Sequence, residues 1–202
     1  MYIIFRSMMS YFICCIVCLV MQFIAGDSGT GNDSSILLKS SHNIGVAMAT
    51  QHGLVVPNVK NCCSKSVLDI AIDLQRLQSL AQQNKLPPED VTGATITISN
   101  IGSIGGTIAG PIVNVPEVAI VALGKMKQTP VIVPNNNNSN TDFIGSDSSS
   151  SGGPGFSVSV RSVMNVSWSA DHRVIDGNTI ARFNNLWKAY LEDPITLLLN
   201  TK

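Results

Sequence analysis

The feature that most constrains how this chain can fold is a change of sequence period in its C-terminal third. Up to Asp171, apolar side chains alternate with polar ones, which is the period of a strand with one buried face; the apolar positions are Met164, Val166, Trp168 and Ala170. Beyond Asp176, apolar side chains recur at helical spacing, at Ile180, Phe183, Trp187, Tyr190 and Leu191. Asp176 is a suitable N-cap for this helix. His172 is therefore predicted to lie on a strand-to-helix connection, where a rigid scaffold presents a side chain to a ligand.

The rest of the chain contains further strand and helix patterns. Strands are predicted at 44–48, 54–56, 95–98, 116–124 and 156–160. The run 116–124 is nearly continuously apolar, which is typical of a strand buried on both faces. A second helix is predicted after Ser66 and Asp69, which form a capping-box-like start, and Pro87 and Pro88 are expected to end it.

The composition excludes some functions. The 202 residues suit one domain with a substantial core, and 45% of them are hydrophobic. Thirteen basic and thirteen acidic residues cancel, so the chain lacks the positive excess that marks nucleic-acid binding. A polyanionic ligand would need lysine or arginine side chains placed locally.

The cysteines and the other two histidines do not predict a metal or disulfide site. The five cysteines are Cys14, Cys15, Cys18, Cys62 and Cys63. Cys15 and Cys18 have the spacing of a redox or zinc motif, but no second pair or histidine accompanies them, so chance is the better interpretation. His42 and His52 are interpreted as a strand-start residue and a turn residue, without partners that suggest chemistry.

A glycine-rich segment, 99–107, follows the strand predicted at 95–98. It lacks both the Gly-Lys-Ser/Thr ending and the Gly-x-Gly-x-x-Gly spacing of nucleotide-binding loops, so it does not predict phosphate binding. Its glycines instead suit positive φ angles or close backbone approach. The later segment 134–155 contains four consecutive asparagines and a Ser/Gly tract, and it is predicted to be a disordered insertion between two strands.

The first 41 residues are the least typical part of the sequence. Residues 1–26 combine one basic residue, Arg6, with a run at 11–25 that is apolar apart from Gln22. This pattern is open to three interpretations, namely a signal peptide, a membrane anchor, or a misassigned start in place of native upstream residues. It does not have the Arg- and Ser-rich character of a mitochondrial transit peptide. Residues 27–41 are predicted to be a polar linker.

The stretch from His172 to Gly177 resembles the His-x-x-x-Asp-Gly signature of the dihydrolipoamide acyltransferases, the E2 components of 2-oxo acid dehydrogenase complexes. The preceding residues, 165–171, are most similar to the branched-chain member. The resemblance covers roughly 40–133 and 156–202. It implies an α/β fold, a two-layer mixed β-sheet with helices like that of chloramphenicol acetyltransferase, in a protein that forms trimers.

The same resemblance implies a reaction and the residues that carry it. An acyl group, of branched-chain type by overall similarity, would move between a dihydrolipoyl thiol and coenzyme A, with the lipoyl group carried on a domain absent from this sequence. His172 would be the general base, and the Ser99 hydroxyl would stabilise the oxyanion. Asp176 would fix the loop and the orientation of the imidazole ring, or would serve only as the N-cap of the helix. The resemblance requires neither a metal nor a covalent acyl-enzyme.

The family further implies an assembly and a location. Its active site lies between subunits of a homotrimer, its trimers build a larger core that binds the E1 and E3 components, and its eukaryotic members work in the mitochondrial matrix. No nucleic-acid partner is implied, and a membrane is a partner only if 11–25 is a true anchor.

One departure from the family is the start of the domain. The family's catalytic domain begins well upstream of Ser41, and residues 1–26 do not resemble its first elements, so 42–202 is predicted to be a partial catalytic domain behind a misassigned start. Three rival functions stay open. The missing start favours an inactive assembly module, the shared His-x-x-x-Asp-Gly motif allows a chloramphenicol acetyltransferase-like enzyme, and the run 11–25 allows a membrane-anchored protein.

Overall fold

The computed structural model describes residues 21–24, 34–134, 156–193 and 195 of the chain. Its strands are β1 (Met21–Ile24), β2 (Ser35–Leu38), β3 (Ile44–Thr50), β4 (Gly53–Val55), β5 (Asn58–Val59), β6 (Ile96–Asn100), β7 (Ala119–Leu123), β8 (Lys127–Pro134), β9 (Phe156–Val163) and β10 (Val166–Ala170). Its α-helices are α1 (Val67–Gln82), α2 (Pro88–Val91) and α3 (Gly177–Glu192). The predicted mixed α/β fold is confirmed.

The main sheet of the described chain has the strand order β10-β7-β6-β3-β4, with β5 paired to β3. The central strands β3, β6 and β7 run parallel, and β10 and β4 are antiparallel to their neighbours. Every residue of β7 is buried, as its continuous apolar run predicts. The core therefore lies around the middle of this sheet.

The C-terminal helix packs its apolar stripe against the strand that precedes it. Phe183 and Trp187 are 8% and 2% exposed, and the ring of Trp168 on β10 meets both in edge-to-face contacts with centroid distances of 5.3 and 6.1 Å. The Trp168 indole N–H donates to Asn184 Oδ1 at 3.0 Å. Strand and helix are thereby held as one unit, with the His172 connection between them.

Helix α1 begins as predicted and ends earlier than predicted. Ser66 and Asp69 form a complete capping box. The helix stops at Gln82, before the two prolines, because Asn84 adopts a left-handed conformation at φ 55°. Pro88 does not end a helix but begins α2, where its missing N–H and fixed φ suit the first helical position.

Part of the segment predicted to be a linker forms a strand. β2 lies within 27–41 and pairs antiparallel with β1, because Ile36, Leu37 and Leu38 interrupt the polar composition there. β1 in turn is attached to the domain, since the buried Gln22 side chain donates to the Ala94 carbonyl at 3.0 Å. Residues 1–20, which include most of the hydrophobic run, lie outside the described residues. Among the residues that are described, no helix has the length and apolar character needed to cross a membrane.

Strands β8 and β9 form a separate antiparallel pair on either side of the predicted insertion, most of which (135–155) lies outside the described residues. One face of this pair is apolar, because Ile132 lies opposite Val158, with Phe156 and Val160 alongside on β9. These four side chains are between 66 and 70% exposed. We call this surface the hairpin face.

Candidate active site

His172 is the second residue after β10 and lies in a tightly bonded turn. The N–H of Asp171 donates to the Val118 carbonyl at 2.8 Å, which extends the pairing of β10 with β7 by one residue. The N–H groups of Val174 and Ile175 both donate to the Asp171 carbonyl at 3.0 Å. Ile175 is 3% exposed and anchors the turn in the core, whereas the His172 side chain is exposed. The predicted strand-to-helix placement of His172 is confirmed.

The residues on either side of His172 are joined to each other. Arg173 donates from Nε to Asp171 Oδ1 at 2.9 Å and from Nη2 to Oδ2 at 2.6 Å, and its N–H donates to Oδ1 at 3.0 Å. The hydrogen bonds from Arg173 lower the pKa of the Asp171 carboxyl, so it is ionised at neutral pH. The Arg173 guanidinium carbon also lies 3.8 Å from the centre of the Phe23 ring. β1 is thereby tied to the turn that presents His172.

Asp176 caps helix α3, as predicted. Its Oδ1 accepts a hydrogen bond from the N–H of Thr179 at 2.8 Å. Hydrogen bonds from Thr179 lower the pKa of the Asp176 carboxyl, and the positive charges of His172 and Arg182 lower it further. The carboxylate is thus ionised at neutral pH.

Ser99 lies near the end of β6, where the glycine-rich loop begins. Its backbone is paired on both sides, opposite Ala47 of β3 and Ala122 of β7, and its side chain is half-buried. The loop then folds against the end of β7, since the N–H of Ile101 donates to the Leu123 carbonyl at 3.1 Å. The strand therefore fixes the backbone of Ser99 on both sides.

Two positions in this region require glycine because another part of the backbone approaches them closely. A Cβ on Gly102 would lie 2.5 Å from the carbonyl oxygen of Gly124, and a Cβ on Gly124 would lie 2.2 Å from that of Thr107. Gly105 has φ +103°, a conformation that other residues rarely adopt. The predicted reason for the glycines, positive φ angles or close backbone approach, is confirmed by these contacts.

The structure does not bring Ser99 and His172 of one chain together. Ser99 is level with Ser167 of β10, because β7 pairs with both strands. Asp171 lies four residues further along β10, which is about 13 Å at the rise of a strand, and two strand spacings add roughly 10 Å across the sheet. The Cα atoms of Ser99 and Asp171 are thus on the order of 16 Å apart. His172 is the next residue after Asp171, at the same end of the sheet. Since a hydrogen bond spans about 3 Å, one substrate carbonyl cannot contact both side chains of the same chain.

A shallow cavity adjoins the His172 turn, and the sequence analysis did not identify Glu117 or Phe23 as part of it. Phe23, Val115, Glu117, Asp171 and Arg173 are among the residues that line it. Glu117 is 4% exposed and accepts hydrogen bonds from Thr97 Oγ1 at 2.6 Å and Asn114 Nδ2 at 3.2 Å. Burial raises the pKa of the Glu117 carboxyl despite these bonds.

Glu117 had a signal in the sequence, because it is the one charged residue in the apolar run 116–124. Phe23 had none, since its contact with Arg173 spans most of the chain. Across the described ranges, no three His, Cys, Asp or Glu side chains are grouped so that they could hold a metal ion.

Comparison with known proteins assigns the chain to a family. Residues 6–199 match the family model described as 2-oxoacid dehydrogenases acyltransferase (catalytic domain). The match begins at residue 6, so it includes most of the segment 1–26, which was predicted from the sequence not to resemble the first elements of the family.

The chain is 52% identical over 167 residues to the mitochondrial lipoamide acyltransferase component of the branched-chain alpha-keto acid dehydrogenase complex of Arabidopsis thaliana. That alignment covers 83% of this chain and 30% of the relative, and the chain spans about a third of the length of the curated relatives it matches.

Solved structures agree with this assignment. The dihydrolipoamide acetyltransferase of Azotobacter vinelandii, in which a serine, a histidine and an asparagine were investigated for their role in catalysis, is 30% identical with a TM-score of 0.71. The cubic core of a pyruvate dehydrogenase multienzyme complex is also 30% identical, with a TM-score of 0.72. Both alignments cover 96% of this chain and 69% of the other. The chain belongs to the family of 2-oxoacid dehydrogenase acyltransferase catalytic domains.

Proposed function

We propose that this chain transfers a branched-chain acyl group between the thiol of a dihydrolipoyl group and the thiol of coenzyme A, as a dihydrolipoyllysine-residue acyltransferase. The observation that carries the proposal is the rigid presentation of an exposed imidazole, His172, between a paired strand and a capped helix. The similarity to the branched-chain acyltransferase of Arabidopsis thaliana supports the acyl class.

The proposed chemistry follows from the demands of thioester exchange. A neutral thiol is a poor nucleophile, so His172 takes its proton as it attacks the thioester carbonyl. The Ser99 hydroxyl donates to the oxyanion that forms, a contribution of roughly 3 kcal/mol by analogy with other oxyanion holes. Collapse of the intermediate expels the second thiolate, which recovers the proton from His172. Asp176 remains ionised and stabilises the charged imidazolium without taking a proton.

The spacing of three residues in the Azotobacter vinelandii relative supports this assignment. Its investigated asparagine stands four residues after the histidine, as Asp176 does after His172. Its serine precedes the histidine by fifty-two residues, against seventy-three between Ser99 and His172. The excess of twenty-one is about the length of the predicted insertion 134–155. The same site without the insertion would therefore have the relative's spacing.

We further propose that each active site is shared by two chains of a homotrimer. His172 of one protomer and Ser99 of the next would then face one substrate, which a single chain cannot achieve across its sheet. The exposed hairpin face supports self-assembly, because large apolar side chains of this kind mark protein contacts. The similarity to a multienzyme core supports a higher-order E2 assembly. The same proposal includes the E1 and E3 components as partners of the assembly and the mitochondrial matrix as its location.

The decisive experiment is an assay of acyl transfer from a branched-chain acyl-coenzyme A to free dihydrolipoamide. We expect activity from the wild-type chain, and a loss of at least about a hundredfold in His172→Ala, the size typical of a general base. His52→Ala, which changes a histidine in the turn between β3 and β4, is the matched control and should retain full activity. Undiminished activity in His172→Ala would remove the base from the proposal.

A second function, assembly without catalysis, is favoured by the hairpin face alone. It predicts that the wild-type chain forms trimers and yet transfers no acyl group in the same assay. Sedimentation and activity measured on one preparation therefore distinguish the two functions.

A further inference from the structure

A thiol and an imidazole meet outside the site described above. The Sγ of Cys63 lies 2.5 Å from Nδ1 of His42, although twenty-one residues separate them in the sequence. Cys63 is exposed and His42 is half-buried. The sequence interpretation of His42, a strand-start residue without a chemical partner, is therefore incomplete.

The main chain holds this pair together independently of the two side chains. The N–H of Cys62 donates to the carbonyl of His42 at 2.8 Å, which joins the turn Cys62–Ser64 to the start of β3. The next residue strengthens the junction, because Asn43 Oδ1 accepts from the N–H of Asn61 at 2.9 Å. Replacing either side chain of the pair leaves these bonds in place.

We propose that Cys63, with His42 as its base, is a site of thiol–disulfide exchange with small disulfides. His42 takes the thiol proton, the Cys63 sulfur attacks one sulfur of the disulfide, and the S–S bond breaks. The products are a mixed disulfide on Cys63 and a thiolate, which accepts the proton from His42. The small disulfide is the oxidant, and its leaving half is reduced to a thiol.

The parts of the site favour a disulfide over a thioester as its substrate. Attack on a thioester creates an oxyanion that needs preorganised donors, as proposed for Ser99 in the main site. Attack on a disulfide moves charge from one sulfur to another, so a nucleophile and a base are sufficient. A thiol and an imidazole supply both.

The neighbouring Cys62 is expected to leave the adduct intact. It is 2% exposed, its Sγ donates to the Val59 carbonyl at 3.3 Å, and burial raises the pKa of its thiol to about 12. A protonated, buried thiol does not attack a neighbouring mixed disulfide. The modification therefore persists until an external thiol removes it.

The test uses oxidised glutathione with the full chain and follows the modification by peptide mass spectrometry. Trypsin cleaves after Lys60 and Lys65, so one peptide, 61–65, contains both cysteines and fragmentation locates the adduct. The reference is the same five-residue peptide made synthetically, which lacks His42. We expect Cys63 in the folded chain to react about tenfold faster than the peptide, because the adjacent imidazole can take the thiol proton as the sulfur attacks. Cys62 should remain unmodified.

Two histidine variants separate a chemical role from a structural one. His42→Gln should slow modification of Cys63 to the rate of the synthetic peptide, whereas His52→Gln should leave it unchanged. Modification of Cys62 in His42→Gln would show that this variant is unfolded. In that case the rate of wild-type Cys63 relative to the synthetic peptide is the test of the proposal. A wild-type Cys63 that reacts no faster than the peptide, or a folded His42→Gln that reacts like wild type, would overturn the proposal.

Discussion

Arg173 holds the carboxylate of Asp171 through side-chain hydrogen bonds from both Nε and Nη2, and His172 is the residue between them in the chain. The pair is exposed on the arginine side, so its contribution to global stability is small. Its effect is local, because it fixes the two neighbours of the proposed base relative to each other. The contact of Arg173 with the Phe23 ring fixes the same turn relative to β1.

Arg173→Lys should therefore lower kcat by about tenfold with little change in KM, because it removes the two-point contact that orients the turn and misplaces the base. The measurement is steady-state acyl transfer by Arg173→Lys. The control is Lys188→Gln, which removes an exposed ion pair with Glu192 on α3 and should leave kcat unchanged. Equal kcat in Arg173→Lys and the control would show that the ion pair does not position His172.

Mixing two impaired variants should restore activity if the site is shared between chains. Ser99→Ala and His172→Ala are each expected to be impaired, but a mixed trimer contains interfaces in which an intact serine faces an intact histidine. The measurement is acyl transfer after the two variants are unfolded and refolded together, compared with each refolded alone. Activity that stays at the level of the separate variants would contradict a site between protomers.

Phe156→Ser together with Val158→Ser should shift the protein from trimer toward monomer. These changes remove exposed apolar area from the hairpin face, which is expected to be buried between chains. Sedimentation velocity measures the shift. Ser159→Asn, on the opposite face of the same strand, is the matched control and should remain assembled. An unchanged oligomer in the double variant would place the contacts elsewhere.

Asp176→Asn should keep the helix cap and remove a pH dependence. Asparagine caps helices as well as aspartate does, whereas alanine does not, so only Asp176→Ala should lower Tm clearly. The pKa of Asp176 is depressed in the folded chain, so its contribution to stability is present above the unfolded pKa and is lost as the pH falls through the folded pKa. Thermal unfolding between neutral and acid pH should accordingly show a flatter profile for Asp176→Asn. A profile parallel to wild type would contradict this assignment.

The ionisation of Glu117 should change stability with pH in the direction opposite to that of Asp176, and Glu117→Gln should remove this effect. Because the pKa of Glu117 is raised by burial, the folded chain loses stability as the pH rises from the unfolded pKa through the folded one. Glutamine carries no charge, so the stability of the variant relative to wild type should increase across that range. Urea unfolding at acid and neutral pH measures the difference. A relative stability that falls with rising pH would indicate that the hydrogen bonds from Thr97 and Asn114 outweigh the burial of charge.

The sequence by itself determined the local structure around the proposed base. The strand that ends before His172, the Asp176 cap and the buried strand β7 all follow from patterns a few residues long, because side-chain period and end-capping bonds act between near neighbours. The same reasoning failed for β2, where three apolar residues in a polar segment pair with β1. It also placed the end of α1 too late, because it overlooked the left-handed Asn84.

Only the tertiary structure decided which distant residues meet. Strand order and register put Ser99 and His172 at opposite ends of the sheet, and they bring Cys63 to His42 and Arg173 to Phe23. No local pattern encodes these relations, because each depends on how separately formed strands and turns bury their apolar faces against one another. The motif therefore identified the candidate residues to test, and the fold supplied the reason to look for the second half of the proposed site on another chain.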